Sequence, residues 1–167
     1  MGNKGIKVGS MKEDIDKKDR ANGEICHTLD EKDRLAIPSR FRKILSDSFV
    51  LTRGLDHCLW LMTTERWKRL EAGIKKMNHN LLSVRNYERT FQGGMCEVEL
   101  DKQGRFVLKS TLKEYAGIDK EVLFSQGTRY IEIWAKDKYF EMLSDIDMAD
   151  CAEQISLIWP DEEDDDM

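Results

Sequence analysis

The stretch LDEKDRLAIPSRFRKI, residues 29–44, decides the fold, because it returns 71 residues later as LDKQGRFVLKSTLKEY, residues 100–115. Leu29, Asp30, Arg34 and Ser39 recur as Leu100, Asp101, Arg105 and Ser110. The apolar positions Leu35, Ile37 and Phe41 correspond to Phe106, Leu108 and Leu112. Further along, FVLTRGLDHCLWLM from Phe49 parallels VLFSQGTRYIEIWA from Val122, with Gly54 matched to Gly127. The offset there is 73, so a small insertion separates helix from strand. Internal similarity of this kind means one unit of roughly 50 residues used twice, not two unrelated domains.

Each copy reads as β-turn-β-α-β-β-α, an α+β fold. Residues 23–29 and 95–100 are short and rich in β-forming side chains, as are 35–37 and 106–108. DEKDR and DKQGR are the polar turns between them. Pro38 suits a helix start, Ser110 is a candidate N-cap, and Gly117 lies just past a helix ending near Ala116. Hairpins are expected at 49–53/57–62 and 121–125/130–134, turning at Arg53–Asp56 and Gln126–Arg129. Amphipathic helices close the copies at about 64–77 and 136–146, and another, about 81–91, bridges them. The expected organisation is an N-terminal extension (1–22, flexible), a first repeat (23–77), a bridging helix and linker (78–94), a second repeat (95–146) and an acidic C-terminal tail (147–167).

The 167 residues carry a formal charge of −5, with 40% hydrophobic and 35% charged residues. That hydrophobic fraction supports a buried core. The charge is unevenly placed: residues 147–167 hold nine acids and no base, so the rest of the chain is slightly basic. A nucleic-acid-binding body is therefore compatible with the acidic total, and the run Asp161–Asp166 is expected to stay solvated. No apolar run approaches the ~20 residues of a membrane span, and the first twenty residues lack a signal-peptide apolar region. Ile6 stands where a myristoylation pattern wants Ser or Thr. Cys26, Cys58, Cys96 and Cys151 are far apart, with no metal-ligand spacing, which argues against a disulfide framework or a zinc site. The expectation is a cytoplasmic protein with reduced thiols.

Two D-x-x-x-R turns in register, IPSRFR after the first, SFVLTRGLD in the hairpin and YIEIW late in the second half make the chain resemble the MraZ family. These are bacterial DNA-binding transcriptional regulators of the cell-division and cell-wall gene cluster. The resemblance covers about residues 24–146. It implies an AbrB-like swapped-hairpin fold in which the two halves form a pseudo-dimer within one chain. It further implies a ring-shaped homo-oligomer, associated with the nucleoid, that binds direct repeats of double-stranded DNA in its own promoter. Carried over residue by residue, it assigns DNA contact to Lys32 and Arg34 in the first turn and to Lys102 and Arg105 in the second.

Residue chemistry adds to this. The planar fork of Arg matches guanine O6 and N7 or a phosphate, and Lys32 and Lys102 suit phosphate contact. Asp30 and Asp101 are better placed to orient those arginines and cap amides than to face phosphates. Arg40, Arg42 and Lys43 add three cations on the following helix, Arg42 and Lys43 being expected on the same surface as the turns. This sequence departs from the family pattern at Asp33, where glycine is usual, and at Leu108-Lys109, where Ile-Pro is usual. Asp tolerates positive φ, so the first turn is expected to survive while its added charge weakens anion contact there. The extension before residue 21 and the acidic tail also depart, and Met11 is an alternative initiator.

Other candidates are weaker. Cys26 and His27 point to opposite strand faces, and the same objection applies to His57 beside Cys58. Trp60, Trp67 and Trp134 are expected in the core rather than stacked on bases. No catalytic residue, cofactor, metal or small-molecule substrate is assigned. The alternative function is an oligomeric scaffold that keeps the fold with weakened DNA binding, motivated by Asp33 and the tail. An antitoxin role is disfavoured by the short segment 147–160.

Overall fold

In the computed structural model, residues 23–45 and 48–159 are described, and the chain divides into two compact units after Lys136. The expected flexible extension, the choice between Met1 and Met11, and the acidic run at 161–166 lie outside the described residues.

The larger unit contains, in order, β1 (Glu24–Thr28), β2 (Arg34–Ala36), α1 (Ser39–Leu45), β3 (Phe49–Arg53), a 3-10 turn (Leu55–His57), β4 (Leu59–Thr63), α2 (Thr64–Lys75) and α3 (Leu82–Gly94). The second copy follows as β5 (Cys96–Val98), β6 (Arg105–Val107), α4 (Ser110–Tyr115), β7 (Glu121–Gln126) and β8 (Ile131–Ala135), and α5 (Lys136–Ser144) leads into the smaller unit. This is the mixed α+β, doubly repeated architecture that the sequence pattern implies.

Strand pairing ties the copies together. The six-stranded antiparallel sheet runs β1-β7-β8-β4-β3-β5, and β2 pairs with β6 in a separate two-stranded ribbon. The first strand of each copy therefore lies against the hairpin of the other: Cys26 opposes Leu123, and Cys96 opposes Leu51. The ribbon sets Leu35 opposite Phe106.

β3 and β4 are each buried over their first four residues because both faces of the strands are covered. Phe49, Leu51, Leu59 and Leu61 face a core that also holds Leu35, Phe41, Phe106, Leu112 and Phe124. The intervening residues face the other way, where Trp60 stacks on Phe91 of α3 at 5.0 Å and Thr52 Oγ1 donates to the Phe91 carbonyl at 2.6 Å. Trp60, Trp67 and Trp134 are all buried. Each fully buried large aliphatic or aromatic side chain contributes about 1.5–3 kcal/mol relative to exposure.

Two local expectations are corrected. Lys109, not Ser110, occupies the cap position of α4, at φ −64° and ψ 141°, so it adopts unaided the φ that proline would impose. β4 begins at Leu59 rather than 57, because Asp56 (φ 60°) and His57 (φ 56°) are both left-handed and cannot join a ladder. In the smaller unit, the acidic C-terminal segment contains a further helix, α6 (Met148–Ser156). The Asp147 carboxylate caps it by accepting from the Ala149 and Asp150 amides at 3.0 and 3.2 Å. Acids at a helix N-terminus favour the helix dipole, so Asp147 and Asp150 help to start this helix.

Candidate nucleic-acid interface

Both D-x-x-x-R turns close by the same bonds. In the first, the Asp30 amide donates to the Arg34 carbonyl and the Asp33 amide to the Asp30 carbonyl, each at 3.1 Å. In the second, Asp101 and Gly104 do the same with Arg105 and Asp101, at 2.8 and 3.0 Å. The fourth residue of each turn lies in the left-handed region, Asp33 at φ 56° and Gly104 at φ 74°.

The aspartates organise the turns from inside. Asp30 Oδ1 accepts from the amides of Lys32 and Arg34, both at 2.9 Å, while Oδ2 accepts from Arg34 Nε at 2.6 Å. Asp101 Oδ1 accepts from the amides of Gln103 and Arg105, both at 2.9 Å, and Oδ2 from Arg105 Nε at 3.0 Å. Backbone donation from Arg34, aided by its side chain and the Lys32 amide, holds the Asp30 carboxyl below the usual carboxylate range. Asp101 is lowered in the same way, first by the Arg105 amide.

The turns also interlock. The Ile37 amide donates to the Gly104 carbonyl at 3.0 Å, and the Leu108 amide to the Asp33 carbonyl at 2.8 Å. Arg105 Nη1 lies 3.6 Å from Asp30 Oδ2. Lys32, Arg34, Lys102 and Arg105 thus belong to two adjoining turns, with both lysines exposed and both arginines half-buried.

The α1 cations separate. The Arg42 guanidinium lies over the second turn: a β-carbon built on Gly104 would stand 2.5 Å from its Nη1. Arg40 instead donates through Nη2 to Gln126 Oε1 at 3.0 Å, at the end of β7. Lys43 is exposed on the same helix.

The sequence reading passes over Lys113. Its Nζ donates to Asp33 Oδ1 at 3.0 Å, placing a cation from the second copy on the unusual acid of the first. The 71-residue offset contains the signal, since it matches Lys113 to Arg42.

Elsewhere the chemistry is that of packing. Cys58 is buried, with its thiol donating to the Leu55 carbonyl at 3.1 Å and to Glu132 Oε2 at 3.3 Å. Burial first, then the neighbouring Glu132 carboxylate, pushes the thiol pKa up, the opposite of what a nucleophile needs. Among the described residues, no cluster of His, Cys, Asp and Glu could hold a metal ion, and no helix is long and apolar enough to cross a membrane.

The fold and its turns define a class of internally duplicated α+β protein, in which the halves share a sheet and set paired Asp–Arg turns side by side. The profile of the family described as "MraZ protein, putative antitoxin-like" matches twice, over residues 21–89 and 91–163. A protein of Clostridium acetobutylicum named transcriptional regulator MraZ is 46% identical over 138 residues, covering 80% of this chain and 95% of the relative. Proteins of the same name from Thermoanaerobacter sp. strain X514 and Acetivibrio thermocellus are 39% and 38% identical, covering 76% and 81% of this chain and 89% and 96% of their own lengths. The chain belongs to the MraZ family.

Proposed function

We propose that the chain is a sequence-specific DNA-binding transcriptional regulator that acts on direct repeats in its own promoter, upstream of a cell-division and cell-wall gene cluster. The observation carrying this reading is the interlocked pair of Asp–Arg turns. In each turn an aspartate grips the Nε edge of an arginine half-buried beside it. Holding a guanidinium in one orientation lowers the entropy lost when its remaining donors meet a guanine edge or a phosphate. Lys32 and Lys102, exposed beside them, supply phosphate contacts.

The exchange of β1 and β5 between the halves supports an AbrB-like swapped-hairpin pseudo-dimer. Its seven assigned cations (Lys32, Arg34, Arg40, Arg42, Lys43, Lys102 and Arg105) make a modest site per chain. A ring-shaped homo-oligomer on successive repeats would raise the effective concentration of each turn for the next box. The working location is the cytoplasm, on the nucleoid.

The test is a salt titration of binding to duplex DNA from upstream of the gene, with a scrambled duplex and Arg34→Ala/Arg105→Ala as controls. A preference for the native duplex that disappears in the double variant is expected, with affinity falling steeply as salt rises. Equal, weak binding by all samples would instead leave an oligomeric scaffold on the same fold.

A further inference from the structure

The two turns are alike in backbone but unlike in charge. The stretch Asp30–Arg34 holds three acids and two bases, whereas Asp101–Arg105 holds one acid and two bases. The difference is compounded by the helix residue that covers each turn. Lys113 is spent on Asp33, with its Nζ 3.0 Å from Oδ1 and its side chain half-buried. The matching residue, Arg42, lies over Gly104, where no carboxylate exists to receive it, and no acidic partner for Arg42 occurs among the described residues. The first turn with its covering lysine is therefore neutral, and the second with its covering arginine carries +2.

Geometry makes this a property of one position. A side chain at Gly104 would enter the space that the Arg42 guanidinium fills. Asp33 has the same left-handed backbone, but it carries a carboxylate that accepts from Lys113 Nζ at 3.0 Å. A cation already paired releases fewer counterions on meeting DNA, since its charge is compensated beforehand.

Resting on the DNA-binding reading above, we propose that the two turns engage the duplex unequally. Arg42 contributes a phosphate contact at the second turn, and the Asp33–Lys113 ion pair withholds the equivalent contact at the first. Asp33 is then a residue that sets the strength and polarity of binding along the repeat, and Lys113 is a latent DNA contact.

The experiment measures affinity of the full chain for the upstream duplex by fluorescence anisotropy across a series of salt concentrations. Each phosphate contact contributes about 0.9 to the slope of log K against log salt. Arg42→Ala should make the slope shallower by about one contact, and Arg42→Lys, which keeps the charge, should restore it. Asp33→Gly should steepen the slope by about one contact and tighten binding at low salt, and Asp33→Gly/Lys113→Ala should return it to the unaltered value. Thermal unfolding of each variant checks that the fold is intact. An unchanged slope in Asp33→Gly would overturn the proposal, as would equal losses from Arg42→Ala and Lys113→Ala in the otherwise unaltered chain. Failure of the unaltered chain to bind any duplex would remove the DNA-binding reading and this proposal with it, a result distinct from binding with equivalent turns.

Discussion

Arg105 Nη1 stands 3.6 Å from Asp30 Oδ2, so the carboxylate that closes the first turn also touches the arginine of the second. Asp30 consequently joins the two turns as well as shaping its own, whereas no contact from Arg34 to Asp101 mirrors it among the described residues.

The pH dependence follows from the depressed aspartates. Asp30 and Asp101 hold their protons less tightly folded than unfolded, because amide and guanidinium donors favour the ionised form. Their contribution is thus complete above the unfolded carboxylate pKa of about 3.9 and is lost as pH falls through the lower folded values. In thermal unfolding from pH 6 to pH 2, Asp30→Asn/Asp101→Asn should unfold at lower temperature at pH 6. It should also lose less on acidification than the unaltered chain.

Gly104→Ala should destabilise the protein by about 1–2 kcal/mol, the usual penalty for a β-carbon in the left-handed region. The new methyl group would also push Arg42 off the turn, since Nη1 lies 2.5 Å from where it would stand. Urea unfolding gives the stability. Asp33→Gly, at the matching position, should fold at least as readily, because glycine takes the φ of 56° without strain.

The first hairpin depends on a second close approach. A β-carbon on Gly54 would sit 2.5 Å from the Trp60 indole, and the Gly54 carbonyl accepts the Tyr115 hydroxyl at 2.6 Å. Gly54→Ala should cost about 1–3 kcal/mol through overpacking. Tyr115→Phe should cost about 1 kcal/mol through the lost hydrogen bond. Both are read by chemical denaturation, and because the residues touch, the double variant should depart from additivity.

Cutting the chain between α2 and α3, within residues 76–81, should leave two fragments that are largely unfolded alone and regain strand signal when mixed. Neither fragment can complete its sheet, as β1 needs β7 and β5 needs β3. Circular dichroism of each fragment and of the equimolar mixture checks this. Two independently folded fragments would contradict the exchanged pairing.

What could be read from the sequence was whatever the repeat made redundant. Asp30/Asp101 and Arg34/Arg105 marked the turns twice, and the matched stretches from Phe49 and Val122, with Gly54 against Gly127, marked the hairpins. Contacts between residues far apart in the chain left no comparable trace. Nothing local to Cys26 or Cys96 says which hairpin its strand will join. The link from Lys113 to Asp33 spans 80 residues. Composition was silent where charge had a structural use: the acids at Asp147 and Asp150 cap and favour α6. The left-handed pair Asp56 and His57 was hidden because neither is glycine.

Joining the two copies in one polypeptide has an outcome that a symmetric dimer of half-length chains could not reach. In such a dimer, one codon change replaces the residue in both subunits, so an aspartate would stand in both turns and both covering cations would be captured together. Here the change at position 33 leaves position 104 as glycine. A head and a tail are thereby built into a surface whose backbone has neither, and on the DNA-binding function proposed above successive chains on tandem boxes would all point the same way.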